Sequence, residues 1–420
     1  MKIWFIEIGE PLPMEQGKRL LRYGYFTAFL ANCGHDVTWW ACDFSHAVKA
    51  HVAQPGDVTL NNGVHMKVLP GRGYTKNVSL DRVRHQRQFA KDLGHAMESA
   101  GERPDLIMCP IPTIENAGVI AAFARKHKIP YLLDIRDNWP EEFTNWFPKI
   151  VRPFARIALH PAYRTARAVA RNAASITGVT RKQRDYGAAL AGRKPDDTRD
   201  PVFYLGYTRH PVSAPARVDA AQWWNAQGLK ENAKIASFTG TIGQSFDFAP
   251  VIAAARRLKN EGRSDIQFVL AGDGDTRKKW MNAAGDLAGD VILFPGWIDQ
   301  PKIDTLLSGS MVAIAPYVPN TSMSLPNKFF EYMAYGLPML SSCTGESEDL
   351  IRRYNFGAQY NPKDFDQFFE ALIQITGDAG TARAMGQAAL TLYEKQFNQS
   401  MLFTQMERHM TSMIQHKDVA

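Results

Sequence analysis

The sequence predicts an α/β protein built as two parallel-sheet domains, on three observations. Strand-like and helix-like stretches alternate from the first residues, most of the strand-like ones are continuous apolar runs, and 420 residues exceed what one ordinary core holds. A composition of 45% hydrophobic and 22% charged residues is that of a soluble globular chain. No apolar run reaches the roughly 18 residues a membrane span needs. The opening MKIWFIEIGEPLP, broken by Glu7 and Glu10, reads as a first strand and not as a signal peptide. Cys33, Cys42, Cys109 and Cys343 are scattered, without C-x-x-C or zinc spacing, so a reducing, cytoplasmic compartment and no structural metal are expected. The net charge of +7 suits an anionic partner: a nucleotide sugar, an acidic lipid or a nucleic acid.

In the first half, KIWFIEI, DVTWWA, VHMKVLP, DLIMCP, PYLLDI and SITGVT read as strands with helices between most of them. Ligands of such sheets bind beyond the carboxyl ends of the strands. The first loop there, EPLPMEQGKRL, gathers Gly17, Lys18 and Arg19, with Arg22 just after it. It is either a flexible basic loop facing a phosphate or a solvated charge cluster. The stretch 71–88, GRGYTKNVSLDRVRHQRQ, is a basic, Gly-containing loop that contacts an acceptor or only adds solubility. After the PYLLDI strand, Asp134, Arg136 and Asp137 fall where an α/β enzyme keeps its chemistry, although acid and base there can also be a structural ion pair. Asp137 is the candidate to orient an acceptor hydroxyl or take its proton, and Arg136 the candidate to hold a phosphate. Glu115, after the preceding strand, is a further candidate near the same site.

From Lys149 to Arg171 basic residues recur at steps of three or four: Lys149, Arg152, Arg156, His160, Arg164, Arg167 and Arg171. A plain solvated face would mix signs, and this stretch contains no acid. Pro153 and Pro161 kink or divide it, and Phe154 and Ile157 are apolar neighbours. A helix lying on an anionic membrane fits that pattern.

Residues 193–201, RKPDDTRDP, read as a linker, and a second α/β unit opens near Ala233. There KIASFTG, the turn GTIGQSF and a helix make a plausible diphosphate cradle from backbone N–H groups, with Gly243 in the turn. Gly272 and Gly274 flank Asp273 in a tight turn; the D-x-D of Asp273 and Asp275 would otherwise suggest a divalent metal. Trp297 and Ile298 follow a strand, either as core or as a ligand turn. LPNKFFEYMAYGLP, 325–338, is a short helix with marked ends: Ser324 as cap, Pro326 in the first turn, Gly336 as left-handed terminator. Its body is apolar on almost every side, yet Lys328 and Glu331, three apart, share a face. Charges on a buried helix need a partner or a ligand. A Lys at a helix N-terminus suits a diphosphate, and a carboxylate one turn on suits a ribose diol.

PNKFFEYMAYGLP resembles the donor-binding segment of the GT-B glycosyltransferases of family 4, and RDNWPE (136–141) resembles an R-D-x-W-P-E signature of transferases that build bacterial surface polysaccharides. The resemblance implies the GT-B fold: two facing Rossmann-like domains with an interdomain cleft. The acceptor-binding domain would span 1–205, with the C-terminal helix 381–420 packing back on it, and the donor-binding domain 206–380. It implies that Lys328 contacts the donor diphosphate and Glu331 the ribose, with Asn327, Ser322, Gly243, Gly272, Gly274, Trp297, Ile298, Arg22 and Gly17 completing the donor site. Met323 stands where many members carry a second Glu. Asp137, Arg136 and Lys328 would be the catalytic group. Glu115, Arg152, Arg156, Arg164 and Arg167 would face acceptor or membrane.

The activity implied is retaining transfer of a hexosyl or N-acetylhexosaminyl group from a nucleotide sugar, with UDP as the expected nucleotide. The acceptor would be a glycan or a polyprenyl-diphosphate-linked sugar of capsule, O-antigen or exopolysaccharide assembly. No cofactor, metal or nucleic acid is expected, and the place of work is the inner face of the cytoplasmic membrane. A nucleotide-sugar epimerase of the same architecture, and a non-catalytic basic protein binding membrane or nucleic acid, are the alternatives.

Overall fold

The structure, a computed structural model, describes residues 1–15, 20–145, 147–319, 321 and 323–415. Gly17 and Ser322 therefore lie outside the described residues, as do Lys18 and Arg19. The chain divides into two compact units, one of Met1–Tyr204 with the residues from Phe403 onward, the other of Leu205–Leu402.

The first unit holds a seven-stranded sheet. In spatial order its strands are Gly56–Thr59, His65–Leu69, Asp36–Cys42, Lys2–Ile6, Leu106–Ile111, Tyr131–Ile135 and Ser175–Gly178. All pairs are parallel except the first, where Gly56–Thr59 runs antiparallel on the edge. The six strands read from the sequence all form. Leu106–Ile111, Tyr131–Ile135 and Ser175–Gly178 are buried at every residue, the pattern of a parallel sheet covered on both faces. The second unit holds six strands, all parallel, in the order Ile292–Gly296, Ile266–Ala271, Lys234–Thr239, Ser310–Ala315, Met339–Ser341 and Gly357–Gln359. This is the α/β architecture of two Rossmann-like sheets.

The C-terminal helices depart from the sequence reading. Residues 381–402 belong to the second unit, not the first. The helix Ala379–Leu392 packs on the helix Asn327–Ala334, and Gly336 and Gly386 come so close that a Cβ on Gly386 would stand 2.2 Å from the Gly336 carbonyl. Phe397 meets the ring of Phe330 at 5.1 Å. Only from Phe403, inside the helix Gln399–Gln415, does the chain join the first unit. There Phe403 packs on Phe26 and Phe29, with Met406 and Met410 fully buried beside it.

Arg22 also differs from expectation. It does not stand on an open basic loop. It starts the helix Arg22–Asn32, and its side chain is 2% exposed, 3.1 Å from the fully buried Asp134 carboxylate. The Tyr23 hydroxyl donates to the same carboxylate, and burial, then Asp134, hold its proton well above the usual range. Removing one partner of such a pair strands a buried charge, which costs about 3–5 kcal/mol. Asp134→Ala should therefore lose about that much stability in urea unfolding, while Arg22→Met with Asp134→Leu recovers most of it. Equal losses in the single and double variants would show that the two charges are not coupled.

Candidate functional site

The short helix Asn327–Ala334 organises the second unit's site. Phe329, Phe330, Tyr332 and Met333 are fully buried, so the helix is fixed by its apolar faces, and Lys328 and Glu331 remain half-buried on the other. Gly336, at φ 62°, ends it as expected. Its start differs. Pro326 occupies the N-cap, and the Ser324 hydroxyl accepts from the Glu346 N–H at 3.0 Å, serving the next helix, Glu346–Tyr354.

Three side chains of the short helix converge on Thr239, the last residue of the Lys234–Thr239 strand. The Lys328 ammonium donates to the Thr239 carbonyl. The Thr239 hydroxyl donates to Glu331 Oε2 at 2.9 Å, and the Thr239 N–H donates to the Tyr332 hydroxyl at 3.1 Å. Lys328 Nζ also lies 4.3 Å from the centre of the Phe238 ring and 5.5 Å from that of Phe246. Burial pushes the ammonium down to about 8, against the opposing pull of Glu331. The sequence showed the Lys–Glu pair; it did not show Thr239, Tyr332 or the two rings that hold it.

The turns after neighbouring strands join in one chain of backbone hydrogen bonds. Gly240 N–H donates to Ala271, Ile242 to Asp273, and Gly272 to Gly296, all within 2.8–2.9 Å. Two glycines make this possible. A Cβ on Gly240, at φ 129°, would stand 1.9 Å from Lys328 Nζ, and one on Gly272, at φ 144°, 1.8 Å from the Gly240 carbonyl. Gly274 approaches the Ile242 carbonyl in the same way, whereas Gly243 has room around it. The two acids of this loop are engaged locally: Asp273 accepts from the Gly274 N–H and Asp275 from Gln244. Among the described residues no group of three or more His, Cys, Asp or Glu side chains is placed to hold a metal. Trp297 is 76% exposed at the neighbouring turn and is not core, and Ile298 is buried beneath it against Trp224 and Val269. Asn327 is exposed at the helix start.

In the first unit the Arg136 guanidinium is given to acids. Its Nη1 lies 3.0 Å from Glu7 and 2.9 Å from Glu10, so its charge is not free for a phosphate. Burial pushes the Glu10 carboxyl up to about 7, with Arg136 opposing and Glu7 adding to the rise. Two acids three apart after a first strand were the available signal, and their role as an Arg136 clamp was not read. Asp137 is exposed beside it; burial raises its carboxyl and Arg136 lowers it. Glu115 sits in the first turn of the helix Ile114–His127, half-buried. The basic stretch forms two helices, Arg152–Ala158 and His160–Asn172. Arg156 pairs with Glu141 at 2.5 Å, Arg152 donates to the carbonyls of Phe147 and Asn145, and Arg164 and Arg167 are exposed.

The close approach at Gly272 supplies a direct check on the cradle. Gly272→Ala must move backbone, and a non-glycine residue in that region costs about 1–3 kcal/mol before the clash is counted. Loss of at least that much in urea unfolding is expected; parent-like stability would mean that the two turns do not touch.

Residues 25–199 match the glycosyl transferase 4-like domain model, and residues 233–378 match the glycosyl transferases group 1 model. No curated protein sequence matches the chain. Sucrose-phosphate synthase from Thermosynechococcus elongatus is similar in structure, with a TM-score of 0.70 at 16% identity over 97% of this chain and 97% of that one. HepE from Anabaena in complex with UDP gives 0.65 at 13% identity over 98% and 100%. The UDP-forming trehalose-phosphate synthase from Burkholderia xenovorans gives 0.68 at 12% over 98% and 99%. At these identities the likeness concerns the fold. With a glycosyltransferase domain matched in each unit and two Rossmann-like sheets around them, the chain is a glycosyltransferase of the GT-B fold.

Proposed function

We propose that the chain moves a hexosyl or N-acetylhexosaminyl group from a UDP-sugar to a glycan or polyprenyl-diphosphate-linked acceptor of bacterial surface polysaccharide assembly, with retention at the anomeric carbon. The observation that carries the donor side is the convergence of Lys328 and Glu331 on Thr239 at the carboxyl end of the second sheet. Lys328 can exchange the Thr239 carbonyl for a donor diphosphate, helped by the N–H groups at the head of its helix. Glu331 can take the ribose hydroxyls. Negative charge grows on the departing diphosphate, so a cation already in place lowers the barrier without a divalent metal. UDP as the nucleotide is supported by its presence with the similar HepE structure. Retention and the acceptor class follow the family resemblance of 325–338 and 136–141. On the acceptor side Asp137 would orient or deprotonate the hydroxyl, and the clamp of Glu7 and Glu10 on Arg136 would fix the backbone beneath it.

Glu331→Ala should weaken UDP binding by about 1.5–3 kcal/mol in calorimetry, and Lys328→Ala should cut turnover while EDTA leaves the parent active. UDP affinity should fall above pH 8, as free Lys328 loses its proton through about 8, approaching about tenfold per pH unit. The Lys328→Ala variant should show no such slope. Restoration of EDTA-treated enzyme by manganese would move the chemistry to Asp273 and Asp275.

A lipid-linked acceptor requires docking at the bilayer, and the first unit offers a surface for it. Ile150, Phe154 and Ile157 are 82%, 71% and 72% exposed, an uncommon display of large apolar side chains. Lys149, Arg152, Arg156, Arg164 and Arg167 surround them in sequence, and among the described residues only Arg156 of the five has a carboxylate partner. Apolar residues inserted beneath a basic ring suit an anionic interface. No helix among the described residues is long and apolar enough to cross a membrane. Replacing Ile150, Phe154 and Ile157 by Ser should abolish sedimentation with phosphatidylglycerol vesicles and leave UDP binding intact. Undiminished sedimentation would assign docking elsewhere.

A further inference from the structure

The structure brings part of the basic stretch 71–88 to a second segment that carries His46 and Lys49. Tyr74 is buried, 9% exposed, beneath two cations: Lys49 Nζ lies 5.4 Å and the Arg82 guanidinium 6.0 Å from its ring centre. His46 Nδ1 is hydrogen-bonded to the Tyr74 hydroxyl, and His85 packs its ring on Tyr74 at 5.2 Å. Lys49 donates to the His46 carbonyl, and Arg82 donates to the Asn77 carbonyl at 2.8 Å. Among the described residues neither cation has a carboxylate partner. The acids nearby are engaged: Asp43 with His51 at 2.8 Å and with the Gly71 N–H, Asp81 with Arg84. Burial and then Arg82 push the Lys49 ammonium down, and burial, Lys49 and Arg82 bring His46 to about 4, so it is neutral at pH 7.

Two further features point to a ligand. Lys49 holds a left-handed backbone, φ 57°, in the turn between Phe44–Ser45 and Ala50–His51. Asn or Gly is the comfortable residue there, and a side chain kept at a strained position is a sign of use. The Arg82 guanidinium also lies 5.4 Å from the Trp139 ring, and the Trp139 N–H donates to the Asp137 carbonyl at 2.8 Å. Arg82 therefore touches a residue two positions from the proposed acceptor-orienting residue.

We propose that Lys49, Arg82, His46 and Tyr74 form a phosphate-binding subsite of the first unit, which holds a phosphate or diphosphate carried by the acceptor. This rests on the reading that the first unit handles the acceptor. Arg82 supplies a planar fork, Lys49 a second charge, and neutral His46 and the Tyr74 hydroxyl the remaining polar contacts.

The test uses the full chain saturated with UDP, so that Lys328 is occupied, titrated calorimetrically with glucose 6-phosphate, with farnesyl diphosphate, and with glucose as neutral control. At least one phosphate should bind and glucose should not. Preference for the first marks a soluble sugar phosphate as the source, and preference for the second a lipid diphosphate. Arg82→Gln and Lys49→Asn should each weaken binding by roughly ten- to a hundredfold, the range of a charge-assisted contact. Lys49→Asn should do so without lowering the melting temperature, because Asn fits the left-handed position; a merely structural Lys would not separate the two readouts. Phosphate binding unchanged in the double variant, or absent from the parent, overturns the subsite. The UDP titration alone reports on the donor site, so failure there is read separately.

Discussion

The second unit's site depends on one contact, the meeting of the Asn327–Ala334 helix with Thr239. A lysine and a glutamate on a helix that is otherwise core cost free energy unless each has somewhere to go. Thr239 gives both a place: its carbonyl takes the ammonium and its hydroxyl meets the carboxylate. The next residue is a glycine at φ 129°, a backbone that L side chains rarely adopt, and a Cβ there would also push Lys328 Nζ from its place. Gly272 then allows the following turn to close on Gly240, and its N–H reaches Gly296 beside Trp297. The helix and the turns after three neighbouring strands are thus locked to one another, and a preorganised site of that kind is what electrostatic catalysis requires. Thr239 is also a weak, neutral partner. A carboxylate in its place would hold Lys328 more tightly and compete with the diphosphate for it.

The first unit treats charge differently. Arg22 and Asp134 are both inside the fold, and Arg136 is shared between Glu7 and Glu10. A buried pair contributes little net stability, since desolvation offsets most of its attraction, but it tolerates very few arrangements. Tyr23 links the two groups, donating to Asp134 and lying 5.2 Å beneath the Arg136 guanidinium. The result fixes the backbone at 136–137 relative to the first strand's loop. Asp137 is left exposed at its end.

The strands were legible because a parallel sheet buries both faces, so its strands appear as apolar runs that need no periodicity to be recognised. Gly56–Thr59 escaped because all four residues are exposed, and an edge strand with no buried side carries no such signal. Lys328 and Glu331 were legible because a three-residue spacing on an apolar helix is local information. Thr239 and Gly240 were not, because their role exists only once residues some 90 apart meet. The Ser324 cap failed for the same reason: the N–H that it accepts from comes 22 residues later. The division of the chain past 381 was not legible because an apolar helix face fits either unit, and long-range contacts such as Gly336 with Gly386 and Phe330 with Phe397 place residues up to Leu402 with the second.

The net charge of +7 takes its meaning from how each cation is balanced. Arg22 and Arg136 are balanced by acids within the fold, so they report on architecture. Arg164 and Arg167 are exposed, where screening makes an individual charge weak and only a cluster beside apolar side chains acts on a surface. Lys49 and Arg82 belong to neither class, being half-buried and, among the described residues, without an acid partner. Half-burial removes part of the water that would stabilise them, and stacking on Tyr74 returns only part of that loss. An arrangement that leaves cations undersolvated and uncompensated is less stable than one in which Asp81 or Asp43 had been placed to answer them. The chain contains both acids nearby and directs them to Arg84 and His51 instead. That choice is intelligible if the missing negative charge arrives with the substrate.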